Sequence, residues 1–147
     1  MTKRDLHIID TIIVHYSQTP VGREVSMDEM TGWHKVRGMD DIAYHFLVHL
    51  DGGLSIGRPL SVVGAHAYGR NKTSVGICYV GGTVEGGVDT RTEEQKNTLT
   101  NLIMSLDLIL PNLTSVIGHN DVSDKECPAF NVGNEYNHIL NTNQETC

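Results

Sequence analysis

A chain of 147 residues with 39% hydrophobic content is long enough to bury one core and too short for two ordinary domains, so one domain over 1–147 with its core at about 8–140 is expected. Eleven basic against 18 acidic side chains give a formal charge of −7, and no stretch gathers Lys and Arg into a groove-sized patch, which argues against direct binding of nucleic acid. No segment approaches the roughly 20 apolar residues of a membrane span, no signal-peptide apolar run opens the chain, and three cysteines suit no disulfide-stapled secreted domain, so a cytoplasmic protein without a membrane partner is expected.

Apolar runs alternate with amphipathic stretches along the chain, the pattern of an α/β fold with a mixed sheet covered by helices. Residues 8–15 read as a buried strand ending in His15. Ser26 and Glu29 have capping-box spacing, and Met30 and Trp33 supply the apolar stripe of a short helix closed by Gly38. From 43 to 50 the chain alternates, with Tyr44, Phe46, Val48 and Leu50 on one face and His45, Leu47 and His49 on the other. Asp51-Gly52-Gly53 signals a hairpin, so 54–58 should return antiparallel until Pro59. Residues 75–80 form another strand, ended by Gly81-Gly82. Thr92 and Gln95 make a second capping box, and Leu99, Leu102, Ile103, Leu106 and Ile109 recur at helical spacing until Pro111. Residues 115–118 form a short strand that delivers His119, 132–140 form a closing helix, and the polar last seven residues fray.

Eight histidines invite a site. His7 and His138 lie near the ends and read as solvated, His34 sits in a polar part of the first helix, and His45 and His49 are exposed or stand behind a site. His15, His119 and Cys127 differ because each falls where an element ends, which is where sheet proteins assemble sites. The plainer reading makes each histidine structural and Cys127 a small buried hydrophobe. Cys78, inside an apolar strand, fits that reading better.

Two neutral imidazoles and one thiolate hold zinc and leave a fourth position for water. Lys125 lies two residues before Cys127, so in an extended segment both side chains leave one face roughly 6 to 7 Å apart at the backbone. Its ammonium then reaches the open position, where a cation stabilises developing negative charge. Tyr44 is the candidate for a second donor. Asp121 and Asp124 lie near the cluster, but aspartates are common in turns. The rival chemistry is a cysteine hydrolase, with Cys127 as nucleophile and His119 as base.

An ordered series of segments carries a resemblance: Ile12-Ile13-Val14-His15, Trp33-His34, Ile42-Ala43-Tyr44-His45-Phe46, Asp51-Gly52-Gly53, Gly57-Arg58-Pro59, Gly64-Ala65-His66-Ala67 with Asn71, Ser74 to Cys78 with Gly81-Gly82, and Gly118-His119 through Lys125-Glu126-Cys127-Pro128-Ala129-Phe130. Over roughly residues 10–133 the chain resembles the type 2 N-acetylmuramoyl-L-alanine amidases, which include phage amidase-type lysozymes and the peptidoglycan recognition proteins. The resemblance implies a mixed, mainly five-stranded sheet flanked by helices. It also implies a zinc-dependent hydrolase that cuts between the lactyl group of N-acetylmuramic acid and L-alanine in peptidoglycan. The family's metal ligands fall on His15, His119 and Cys127, its catalytic tyrosine and lysine on Tyr44 and Lys125. His66 is implied as a substrate-binding or transition-state group in the groove, with Asn71 beside it on the substrate side.

Tyr16 departs from the small or polar residue usual after the first histidine, whereas Ser17 fits. No added wall-binding module is expected beside this one domain. Among phage enzymes this implies a monomeric lysis protein held in the host cytoplasm until the membrane is permeabilised. Some phage lysozymes of this type also bind a phage RNA polymerase, a further partner the resemblance implies. The alternative outside catalysis is a peptidoglycan-binding module, as in recognition proteins that have lost the cysteine ligand.

Overall fold

A computed structural model describes residues 1–83 and 88–141. Its strands are β1 (Thr11–Tyr16), β2 (Thr19–Pro20), β3 (Phe46–Val48), β4 (Leu54–Ile56), β5 (Ser74–Tyr79), β6 (Gly82–Thr83) and β7 (Ser115–Gly118), and its α-helices are α1 (Met27–Val36), α2 (Glu93–Ile109) and α3 (Val132–Tyr136). Five strands form one sheet in the order β4-β3-β5-β1-β7. All neighbours are parallel except β3 and β4, which makes the sheet mixed, as expected. β2 and β6 form a separate two-stranded sheet that the sequence reading did not anticipate.

Side chains alternate across the pleat, so each strand feeds two layers. Ile12, Val14 and Tyr16 of β1 join Val75, Ile77 and Tyr79 of β5 beneath α2 and α3, where Leu99, Leu102, Ile103, Leu106, Val132 and Tyr136 complete the larger core. On the opposite face, Leu47 and Cys78 pack with Val25, Met30 and Ile42 beneath α1. This second face carries His15, one residue beyond the α2-facing Val14.

Several boundaries move for local reasons. The first strand begins at Thr11, because the Asp5 carboxylate accepts the His7 amide and winds Leu6–Ile8 into a 3₁₀ turn. Ser26 Oγ accepts the Glu29 amide at 3.0 Å, but the Glu29 carboxylate pairs with Arg23 at 2.8 Å instead of closing the capping box. The buried stripe of α1 is Met30 with His34, while Trp33 is 37% exposed under the Arg23 guanidinium. On α2 the Thr92–Gln95 box is complete, but Ile109 stays exposed and Leu110, turning inward past the helix end, is buried.

Alternation from 43 to 50 holds only across the three residues of β3. Phe46 and Val48 face the α2 core, whereas Tyr44 and Leu50 pack with Leu47 on the α1 side. The closing helix stops at Tyr136 and continues as a 3₁₀ turn, where Asn137 Oδ1 accepts the Val116 amide at 2.8 Å and covers the β7 edge. The polar tail expected to fray lies, apart from Asn141, outside the described residues. No described helix is long and apolar enough to cross a membrane.

Candidate metal centre and groove

Val14 and Gly118 are register partners on parallel β1 and β7, so the next residues, His15 still within β1 and His119 just past β7, lie side by side near the strands' C-terminal ends. Their ring centroids are 4.6 Å apart. The chain then turns through a 3₁₀ segment and brings Cys127 back beneath them. Asn120 ties that loop shut: its amide donates to Cys127 O at 2.7 Å and its Nδ2 to Pro128 O at 3.0 Å. Gly118 permits the return, since a Cβ there would stand 2.4 Å from Asn120 Oδ1 and 3.0 Å from Pro128 Cδ.

One ligand atom from each of His15, His119 and Cys127 lies within 4.8 Å of the other two. Cys127 Sγ is 3.8 Å from His15 Nδ1 and accepts the Tyr16 amide at 3.4 Å. Burial, reinforced by His66, His119 and Lys125, holds the His15 imidazole well below its usual range. Burial and Lys125 lower His119 in the same direction. Both rings are therefore neutral at neutral pH.

Burial raises the Cys127 thiol to about 11, against the pull of the Tyr16 amide and Lys125. A thiol held protonated is a poor nucleophile, which disfavours the cysteine-hydrolase reading. A divalent cation would supply the missing compensation, and two imidazoles with one thiolate are zinc donors. The donor set fits zinc.

The Tyr44 ring lies 5.0 Å from that of His15 and 5.5 Å from that of His34. Burial, then Cys78 and Cys127, push its phenol well above 10, so the hydroxyl keeps its proton. Lys125 is exposed, and its charge reaches His15, His119 and Cys127. A cavity of about 250 Å³ runs from the cluster toward Trp33, His34 and Arg37, and another of about 520 Å³ runs toward Tyr68, Asn71 and Asp124. His66, His119 and Lys125 border both.

Two expected groove residues are turned largely to internal tasks. His66 is only 8% exposed and contacts His15 Nε2 through its Nδ1 at 2.8 Å. The Asn71 carboxamide oxygen accepts the His66 and Ala67 amides at 2.8 and 2.9 Å and so shapes the loop. Asp121 Oδ2 accepts the Gly118 amide at 2.9 Å, a turn role, while Asp124 is exposed.

Of two buried histidines beside the site, sequence reasoning missed His34, placed in a polar part of its helix, and left His45 open between exposed and standing behind the site. His34 Nδ1 accepts the Ala43 amide at 2.9 Å and so holds the backbone next to Tyr44. His45 is fully buried, accepting the Gly76 amide at 3.0 Å and contacting Val62 O at 2.8 Å. The sequence signal for His34 was its place beside Trp33 in the matched segments, and for His45 its strand face beside Tyr44.

Residues 5–130 match the Amidase_2 family, described as N-acetylmuramoyl-L-alanine amidase. The endolysin of Escherichia phage T7 is 37% identical over 125 residues, which cover 84% of this chain and 82% of that protein. The amidase LysC from Clostridium intestinale superposes with a TM-score of 0.78 at 29% identity, covering 95% of this chain and 87% of that one. Peptidoglycan recognition proteins LCa and LCx, solved with bound tracheal cytotoxin, give a TM-score of 0.70 at 28% identity over 89% of this chain and 80% of theirs. Together with the geometry above, these matches show that the chain belongs to the N-acetylmuramoyl-L-alanine amidase family.

Proposed function

We propose that this chain is a zinc-dependent phage endolysin that hydrolyses the amide between N-acetylmuramic acid and L-alanine in the host wall. The observation that carries the reading is the convergence of His15, His119 and Cys127 where two groove arms meet. A wall substrate has unlike groups on either side of its scissile amide, glycan on one and stem peptide on the other, and each arm receives one. The kinship to the T7 endolysin supports a role in lysis, and the tracheal cytotoxin complex of the related recognition proteins supports a muropeptide as ligand.

His15 and His119 offer neutral nitrogens and Cys127 its sulfur to the ion. Zinc held there supplies a Lewis acid that acidifies water and polarises a carbonyl. Tyr44, protonated at all working pH, donates its O–H toward the oxygen on which negative charge develops. Lys125, on the open side, brings an ammonium to the same oxygen and neutralises it. The exposure of Lys125 leaves that cation free to follow the substrate as it enters.

Purified sacculi digested with the protein should release stem peptides with a free L-alanine amine and glycan with an intact lactyl carboxylate, read by mass spectrometry. Exhaustive chelation should abolish release and one equivalent of zinc restore it. Release that survives chelation but not thiol alkylation would transfer the reaction to Cys127 as nucleophile. Binding without release would leave only a recognition module.

A further inference from the structure

We propose that His66 is a positioning residue that fixes the tautomer of His15, through a hydrogen-bond chain anchored on the Arg70 carbonyl. The proposal rests on the zinc reading above and assigns His66 a role other than contact with substrate. Ser74 Oγ lies 2.8 Å from Arg70 O and 3.3 Å from His66 Nε2, and His66 Nδ1 lies 2.8 Å from His15 Nε2.

A carbonyl oxygen only accepts, so the Ser74 hydroxyl hydrogen points at Arg70 and its oxygen must receive the His66 Nε2–H. A neutral imidazole carries one N–H, which leaves His66 Nδ1 as an acceptor. It therefore takes the hydrogen of His15 Nε2. The Nδ1 lone pair of His15 then faces Cys127 Sγ, 3.8 Å away. Each link determines the next, so the ligand nitrogen is prepared before any ion arrives.

Space around the ring has been kept for this arrangement. A Cβ on Gly76 would stand 2.6 Å from His66 Cδ2, and one on Gly64 would stand 2.7 Å from the same atom. Gly76 pairs with Ile13 on β1, on the sheet face that carries His15, so its missing side chain is what allows His66 to lie over the strand beside the ligand.

The test reads the His15 tautomer in the metal-free protein by ¹⁵N NMR and the zinc dissociation constant by competition with a chelating dye. Wild-type His15 should carry its hydrogen on Nε2. His66→Phe should lose that preference and bind zinc roughly 10- to 100-fold more weakly, with KM for a muropeptide unchanged at saturating zinc. His66→Asn, whose side-chain oxygen takes the place of Nδ1, should recover most of the affinity, and Gly76→Ala should resemble His66→Phe. Should His66→Phe fail to fold, Ser74→Ala removes the anchor with the ring in place, and its His15 should show a mixed tautomer.

Wild-type His15 protonated on Nδ1 would overturn the proposal. So would a His66→Phe protein with wild-type zinc affinity and a raised KM, since His66 would then serve the substrate. Wild-type protein that binds no zinc would instead sink the hydrolase reading, and the metal-free tautomer would still decide the role of His66.

Discussion

The rings of His15 and His119 stand 4.6 Å apart although they lie 104 positions apart in the chain, because parallel pairing of β1 with β7 aligns the last residues before each histidine. The separation of two candidate ligands is thus a property of sheet register. The third candidate, Cys127, comes from a loop and not from the sheet.

Cys127→Ser should abolish tight zinc binding and nearly all hydrolysis, because a hydroxyl replaces a thiolate poorly as a ligand for zinc. Metal analysis of the purified variant beside wild type checks this. Stoichiometric zinc in the serine variant would count heavily against the ligand assignment.

Tyr44→Phe and Lys125→Ala should each retain metal while lowering kcat by roughly 100-fold or more, the scale of one lost transition-state donor. Steady-state turnover on a soluble muropeptide, with zinc content measured in parallel, separates this from ligand loss. Unchanged turnover in both would reduce them to structural residues.

Gly118→Ala should destabilise the protein by about 1–3 kcal/mol, the usual cost of overpacking, because the added methyl meets the Asn120 and Pro128 atoms that close the loop. A lowered urea midpoint with weaker zinc binding is expected, since the displaced loop carries Cys127. A variant as stable as wild type would mean that the loop shifts freely and that its closure does not hold the sulfur.

Acid should destabilise the fold through His45. Burial, with help from Arg4 and Arg58, lowers its imidazole to about 4 against the Val62 carbonyl. The unfolded chain takes up this proton at about 6.5, so between the two values the unfolded state binds more protons. The stabilisation is present above 6.5 and is lost as pH falls toward 4, to the extent of about 3 kcal/mol for this group. Urea titrations at pH 7 and pH 4.5 should show the fall, and His45→Gln should make it smaller without removing it, because buried His15 and His66 are lowered in the same direction. A wild-type midpoint that does not move between those pH values would contradict the burial argument.

Much of the fold was legible in local pattern. The Thr92–Gln95 box, the stripe on α2, the hairpin after Asp51 and the short strand before His119 all depend on neighbours within a few residues, and all are present. The candidate ligands were legible for a related reason: strand ends can be read locally, and each candidate was placed at the end of an element. Failures came where distant contacts override local preference. Tyr44 and Leu50 left the alternation of β3 because backbone beyond three paired residues is steered by α1 and the loops, and Glu29 left its capping box for Arg23.

By itself, the sequence determined the main elements and their order, though not β2 and β6, together with the donor types and the family likeness, since these follow from hydrogen-bonding periodicity and residue chemistry over short spans. Tertiary structure alone decided which sheet face holds the site, that His34 and His45 are buried, and that His66 turns inward to His15 across 51 positions. Those outcomes depend on register and on the room left by Gly76. Neither is encoded in any stretch short enough to read by pattern, because each arises when strands far apart in sequence come to lie side by side.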